Sequence, residues 1–276
     1  MRNITTAIIP VAGYGSRMLP VTKAIEKCML PILNRPIIDY VVEDCVKAGI
    51  TKIIFVVGEG SEQLQKYYGH HTALEQYLRD QHKESFIPLI TAPKDVTFMF
   101  IEQPQGGKYG TAVPVSLAKK VIHDESHVLV LMGDDFIWNS DGSSEIARLI
   151  NHVTDDADAA LIGVSIPHED VSRYGVIEKD ANGYFTKIVE KPSPELAPSN
   201  LINVSKYIVP LHLLERIAEY VESEHHGSEY MITDPINEWV TEGGKMSVHE
   251  AKGVFLDGGN LEGWLHANVF LAEHTQ

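Results

Sequence analysis

The chain has 276 residues, 44% hydrophobic and 22% charged. That is enough for one large α/β domain, and it excludes collagen-like, low-complexity and generally disordered proteins. The formal charge of −15 at pH 7 argues against nonspecific binding of DNA, RNA or an anionic membrane, while a locally positive pocket for a small anion stays open.

Residues 5–11 read TTAIIPV and predict a buried strand, followed at once by the AGYGSR turn. Residues 36–48 can start and fill a helix after Pro36, Gly49 permits a stop, and KIIFVV at 52–57 supplies a second strand. The opening is therefore β-loop-α-β. Residues 62–79 have helical spacing interrupted by Gly69, which predicts two short helices. Residues 96–101 read as a third strand, 111–121 as a helix and 127–131 as a fourth strand ending at GDD. Acidic residues just beyond a strand's carboxyl end occupy a common ligand position in open α/β sheets. Residues 159–166 predict another strand, and VIEKDANGYFTKIVEK alternates around Ala181-Asn182-Gly183 as a hairpin does, so the sheet is expected to be mixed. Helical spacing returns at 211–221 and 236–240, ahead of the VFLDGG segment. The apolar run 264–271 suits either a subunit contact or an internal helix.

Positive charge collects early, with seven Lys or Arg against four Asp or Glu in residues 1–52. Gly13-Tyr14-Gly15-Ser16-Arg17 can bring backbone N–H groups around a phosphate, with Arg17 adding a fixed positive fork. The run fits neither GxGxxG nor GxxxxGK[ST], so dinucleotide-fold and P-loop readings lose their motif support. Lys23 and Lys27 are four positions apart and can share a phosphate surface if helical, although Pro20 and Pro31 favour a loop and plain solvent exposure is the alternative. Asp134 and Asp135 follow VLVLM, where at least one can bind Mg²⁺ carrying nucleotide phosphates or else cap a turn. Asp257, ahead of Gly258-Gly259, is a second strand-end carboxylate that folding can bring to the same clamp. Glu190 and Lys191 end the hairpin before Pro192, suited to sugar hydroxyls and a sugar phosphate or to an exposed ion pair.

The thirteen histidines, including His70-His71 and His225-His226, lack HExxH or another ligand pattern and are expected to face solvent. Cys28 and Cys45 form neither a disulfide framework nor a close-spaced metal motif. No GxSxG elbow occurs, so phosphate chemistry here points to positioning and charge neutralisation rather than a covalent protein nucleophile. No secretory leader pattern opens the chain, and no apolar run approaches the ~20 residues of a membrane span, so a soluble cytoplasmic protein is expected.

Joined together, AIIPVAGYGSRMLPVTKAIEKCMLPILNRPIIDYVVEDCVKAGI, QPQGGKYGTAV at 103–113, GDD at 133–135, YGVIEK at 174–179, VEKPSPELAPSN at 189–200 and FLDGGNLEGWLHA at 255–267 cover nearly the whole chain. This ordered set resembles the bacterial UTP–glucose-1-phosphate uridylyltransferases, a sugar nucleotidyltransferase family. The resemblance implies an α/β, Rossmann-like nucleotidyltransferase fold with a central mixed, mostly parallel sheet and an added β-hairpin. It implies a single domain over 1–276, with 1–135 mainly binding nucleotide and 136–276 mainly binding sugar phosphate and supporting assembly.

By the same resemblance Ala12, Gly13, Gly15 and Arg17 receive the nucleotide, Lys27 contacts the transferring phosphate, and Gln103 reads uracil with help from Gly110. Asp134 and Asp257 hold Mg²⁺, while Gly175, Glu190 and Lys191 form the glucose-1-phosphate side. Arg17, Lys27, Asp134 and Lys191 make up the implied catalytic set. The implied reaction joins UTP and glucose 1-phosphate to give UDP-glucose and pyrophosphate, in a homodimer or homotetramer with no nucleic-acid or membrane partner. Glu26 and Cys28 flank Lys27 where the family commonly has proline and a carboxylate. Thr111 stands for a frequent histidine, which leaves room for altered base recognition, and Gly258 stands for a cysteine. Two alternatives accompany this expectation: thymidylyl transfer from dTTP, and a catalytically weak regulatory homologue that binds sugar nucleotides.

Overall fold

A computed structural model describes residues 4–223 and 229–275, so the His225-His226 pair lies outside the described residues. The first apolar run forms β1 (Thr6–Pro10). The polar loop after it folds into three single turns of 3-10 helix, Ser16–Met18, Val21–Lys23 and Lys27–Met29. Two short strands, β2 (Pro31–Ile32) and β3 (Arg35–Pro36), lead into α1 (Ile37–Lys47). That helix buries Ile37, Ile38, Val41, Val42 and Cys45, the spacing of one helical face. The parallel strand β4 (Lys52–Gly58) follows, then the expected pair of helices, α2 (Gln63–Tyr68) and α3 (Thr72–Asp80). They part at Gly69, where a Cβ would lie 2.6 Å from the Gln65 carbonyl oxygen.

Next come β5 (Thr97–Gln103), α4 (Ala112–Lys119), β6 (His127–Leu131), β7 (Asp135–Trp138), α5 (Glu145–Ile150) and β8 (Ala159–Ser165). The expected hairpin is β9 (Gly175–Lys179) and β10 (Phe185–Glu190). The chain ends with β11 (Leu201–Pro210), α6 (Leu211–Glu222), α7 (Thr233–Thr241), β12 (Met246–Glu250), β13 (Val254–Asp257) and α8 (Leu261–His274). Among the described residues no helix is long and apolar enough to cross a membrane.

One nine-stranded mixed sheet runs β10-β9-β11-β6-β1-β4-β5, with β8 also paired to β11 and β12 paired to β8. Its centre is the parallel set β6-β1-β4-β5. Successive residues point to opposite faces. Ile9, Phe55 and Leu129 meet α1, α5 and α8 on one face, while Ile8, Ile54 and Val130 meet α4, α6 and α7 on the other. The carboxyl ends of the parallel strands share one edge, and the loops after them carry residues 12–15, 59, 105 and 134.

Strand β11 joins this parallel set to the hairpin. Its second half, Lys206–Pro210, pairs antiparallel with β6, whereas Ile202 pairs with Val176 of β9. Between the halves its register against β8 shifts, and Ser205 takes φ 49°, a left-handed conformation typical of a bulge.

The expectation of solvent-facing histidines is corrected at His127 and His249, which are buried. Burial is tolerated because each ring has polar partners. His127 Nε2 lies 3.1 Å from the Asp158 carbonyl oxygen, and His249 Nε2 lies 2.6 Å from Glu145 Oε1.

Candidate active site

The glycine-rich loop works by shape. Gly15 has φ 64°, and a Cβ there would stand 2.9 Å from Thr22 Cγ2 and 3.1 Å from Lys27 Cβ. The Thr22 hydroxyl donates to the Gly15 carbonyl at 2.9 Å. Glycine thus lets the loop fold back against the turn that carries Lys27. Around Gly13 the space for a side chain is open. Lys27 forms an ion pair with Asp134, and Lys23 stays exposed on its own turn.

Pairing of β7 with β13 sets Asp135 opposite Asp257, which gathers Asp134, Asp135 and Asp257 at the end of β6. A Cβ on Gly259 would lie 2.9 Å from both Asp134 Oδ2 and Asp257 Oδ1, so the two carboxylates converge over a residue with no side chain. Asp257 is held from behind, accepting from the Gly259 N–H at 2.7 Å and from Asn260 Nδ2 at 2.8 Å.

Electrostatics divides the three acids. Burial alone would raise the Asp134 carboxyl, but Lys27, with Lys206 and Arg17, outweighs burial and holds it below the ordinary range. Asp257 is raised by burial and by the like charge of Asp134. Burial also pushes Asp135 up to about 6, with Asp134 and Asp257 adding to the effect and Lys206 opposing it. Lys206 is only 2% exposed and pairs with Asp135. The acids therefore have different duties: Asp135 is spoken for by Lys206, while Asp134 and Asp257 face one another with Lys27 and Arg17 bearing on both.

At the hairpin, Gly175 and Glu190 are cross-strand partners, and a Cβ on Gly175 would lie 3.0 Å from Glu190 Oε2. Lys191 has φ 44°; its N–H donates to the Tyr174 carbonyl at 3.1 Å and its Nζ lies 3.7 Å from Glu190 Oε1. The strained backbone turns the lysine out of the ladder and leaves its side chain in solvent. The Tyr174 hydroxyl is raised first by burial and then by the charge of Asp257. Tyr207 accepts from Asn203 Nδ2 at 2.6 Å and is pushed up to about 12, first by burial, with Glu190 and Asp135 adding to it.

Gln103 and Gly110 stand apart from the carboxylates. Gln103 ends β5, three strands across from β6. Gly110, at φ 125°, packs on the backbone of Tyr230, where a Cβ would come within 2.5 Å of the nitrogen. The Thr111 hydroxyl accepts from the Ile232 N–H at 3.0 Å, so its role seen here is to pin that segment.

The sequence reading omits Lys206, Tyr174, Asn203 and Tyr207. A lysine within a mainly apolar strand (LINVSKYIVP) is the one signal that marks Lys206, because a lysine is almost never fully buried without a partner.

A parallel sheet whose carboxyl edge gathers a glycine loop, converging aspartates and the Lys27 ammonium suits phosphate handling by an α/β protein. The sequence profile of the family described as Nucleotidyl transferase matches residues 6–274. A UTP–glucose-1-phosphate uridylyltransferase of Streptococcus pyogenes is 32% identical over 100% of this chain and 91% of its own length. The enzyme of that name from Pseudomonas aeruginosa is 32% identical over 98% of this chain and 97% of its own. A UTP-bound UGPase structure from Acinetobacter baumannii superposes with a TM-score of 0.86 at 28% identity, covering 97% of this chain and 93% of that one. The chain belongs to the nucleotidyl transferase family and, within it, to the bacterial UTP–glucose-1-phosphate uridylyltransferases. Its chemistry is enzymatic nucleotidyl transfer.

Proposed function

We propose that the protein converts UTP and glucose 1-phosphate to UDP-glucose and pyrophosphate. The observation that carries this reading is the meeting, at one sheet edge, of the Lys27–Asp134 pair with Asp257, with Arg17 bearing on both acids. A phosphate oxygen of glucose 1-phosphate attacks the α-phosphorus of UTP, and the bond from that phosphorus to the bridging oxygen breaks as pyrophosphate leaves. Both reactants are anions, so approach requires neutralisation and in-line attack requires both phosphates to be oriented. Arg17, with the backbone of Ala12, Gly13 and Gly15, receives the triphosphate. Lys27 exchanges its Asp134 partner for the transferring phosphate, Lys191 meets the sugar phosphate and Glu190 the sugar hydroxyls. Gln103 reads the base from β5, with Gly110 closing that side. Residues 1–135 would thus mainly serve the nucleotide, and 136–276 the sugar phosphate and assembly.

The donor set also fits a divalent cation such as Mg²⁺. Asp134 and Asp257 converge over Gly259, and their mutual repulsion, which adds to burial in raising Asp257, is what an oxygen-seeking cation would relieve. These two residues would hold it, and when bound it would neutralise phosphate charge that develops during transfer. Cytoplasmic action on soluble metabolites accompanies this reading, as does assembly into a homodimer or homotetramer.

The test is pyrophosphate release from UTP, dTTP, CTP, ATP and GTP against glucose, galactose and mannose 1-phosphates, with and without Mg²⁺ and with products identified. UDP-glucose formation is expected to dominate and to need Mg²⁺, and Lys27→Ala is expected to lower kcat roughly 10²–10³-fold. Preference for dTTP would reassign the nucleotide. Tight UDP-glucose binding with no turnover would assign a regulatory binding role instead.

A further inference from the structure

The loop carrying Lys27 is built from isolated 3-10 turns, with Val21 and Ile25 exposed. Cys28 and Leu30 anchor the end of the segment in the core, but the stretch ahead of Lys27 has little packing to fix a long, flexible ammonium side chain. Three hydrogen bonds nevertheless strap it to the turn after β4. The Ser61 hydroxyl donates to Glu26 Oε1 at 2.6 Å, the Glu26 N–H donates to Gln63 Oε1 at 3.1 Å, and Gln63 Nε2 donates to the Ala24 carbonyl at 3.0 Å. That turn reaches further, because Glu59 Oε2 accepts from the Gln105 N–H at 3.1 Å, two residues beyond Gln103. Loops following β1, β4 and β5 are therefore joined into one brace.

Glu26 has an awkward position for an anion. It adjoins the lysine assigned to the transferring phosphate, where a free carboxylate would repel the nucleotide and compete for the ammonium. The structure turns it away: Oε1 is taken by Ser61, and Oε2 is buried without a hydrogen-bond partner. Lys27 is left to point at Asp134.

We propose that Glu26 is a positioning residue, whose lock on Ser61 seats Lys27 for phosphate contact and couples that lysine to the loop after β4. This rests on Lys27 acting at the phosphates, as in the proposed function. Glu26→Ala and Ser61→Ala are expected to lower kcat about tenfold each with smaller changes in KM for UTP, the loss of one hydrogen bond to a charged group. Glu26→Gln retains an oxygen that accepts from Ser61 and is expected to stay within about twofold of the parent. Amide exchange at residues 24–29, measured with no substrate present, is expected to speed up in both Ala variants and not in Glu26→Gln.

Normal kcat in Ser61→Ala, or Glu26→Gln as slow as Glu26→Ala, would overturn the proposal, as would unchanged exchange in the Ala variants. Ser61→Ala removes a single hydroxyl, so it serves if Glu26→Ala fails to fold. A parent protein without turnover would remove the uridylyltransferase reading, while the exchange arm would still decide whether the brace exists.

Discussion

Glu145 is fully buried, yet its carboxylate is met on every side. Oε1 lies 2.6 Å from His249 Nε2 and accepts from the Lys252 N–H at 3.1 Å. Oε2 accepts from Arg148 at 2.8 Å and from Asn139 Nδ2 at 3.1 Å. Burial alone would raise this acid, but the bonds from His249, the Lys252 N–H and Asn139, with the charge of Arg148, bring it down to about 2 from an ordinary 4.5. A depressed carboxyl contributes stability that is complete above the unfolded value and lost as pH falls toward the folded one. The loss here runs from about pH 4.5 to about pH 2 and amounts to about 3 kcal/mol. His152 is also held below its ordinary value, by burial and by His249, and acts in the same direction. Urea denaturation across that range is expected to show the parent losing stability more steeply than Glu145→Gln. Parallel curves would remove Glu145 as the cause.

Among the elements, β8 shows how closely the sheet is fitted. A Cβ on Gly163 would lie 2.6 Å from Leu201 Cγ and 2.9 Å from Ile177 Cδ1, both side chains buried. Gly163→Ala is expected to cost about 1–3 kcal/mol through overpacking, read as a lower urea midpoint. A parent-like midpoint would mean that Leu201 can move aside.

The elements legible in the sequence were those with one clear period. HVLVL matches β6 residue for residue, the Ala181-Asn182-Gly183 turn marks the β9–β10 hairpin, and Gly69 divides α2 from α3. Strands β7, β11 and β12 and helix α5 were not legible. β7 has four residues and starts within GDD. β11 carries a bulge and a buried lysine that breaks its apolar run. α5 spans six residues and buries a glutamate. In the site, the position of Asp257 beside Asp134 depends on β7 and β13 pairing across more than a hundred residues, which no local pattern encodes. The Lys206–Asp135 pair is hidden for the same reason. Nothing in the sequence joins a lysine and an aspartate so far apart until β11 and β6 are seen side by side.

At the scale of the molecule, the net charge of −15 coexists with a group of cations, Lys27, Lys206 and Arg17, that bear on the buried Asp134. The proposed assembly would draw on another region. α8 buries Ala267 and Leu271 but leaves Leu261, Leu265 and Val269 exposed at four-residue spacing, an apolar stripe suited to a second copy of the chain. Light scattering is expected to give a dimer or tetramer, with Leu265→Glu moving the mass toward the monomer. A monomeric parent would count against assembly.

The division of β11 between β6 and β9 also bears on how the chain is made. On the ribosome, residues 127–131 emerge well before residues 201–210, so β6, with all five residues buried in the finished fold, stays an open edge until its antiparallel neighbour arrives. An apolar strand edge of that kind invites pairing with other chains. The segment that covers this edge thus also closes off the centre of the sheet to pairing with other nascent chains.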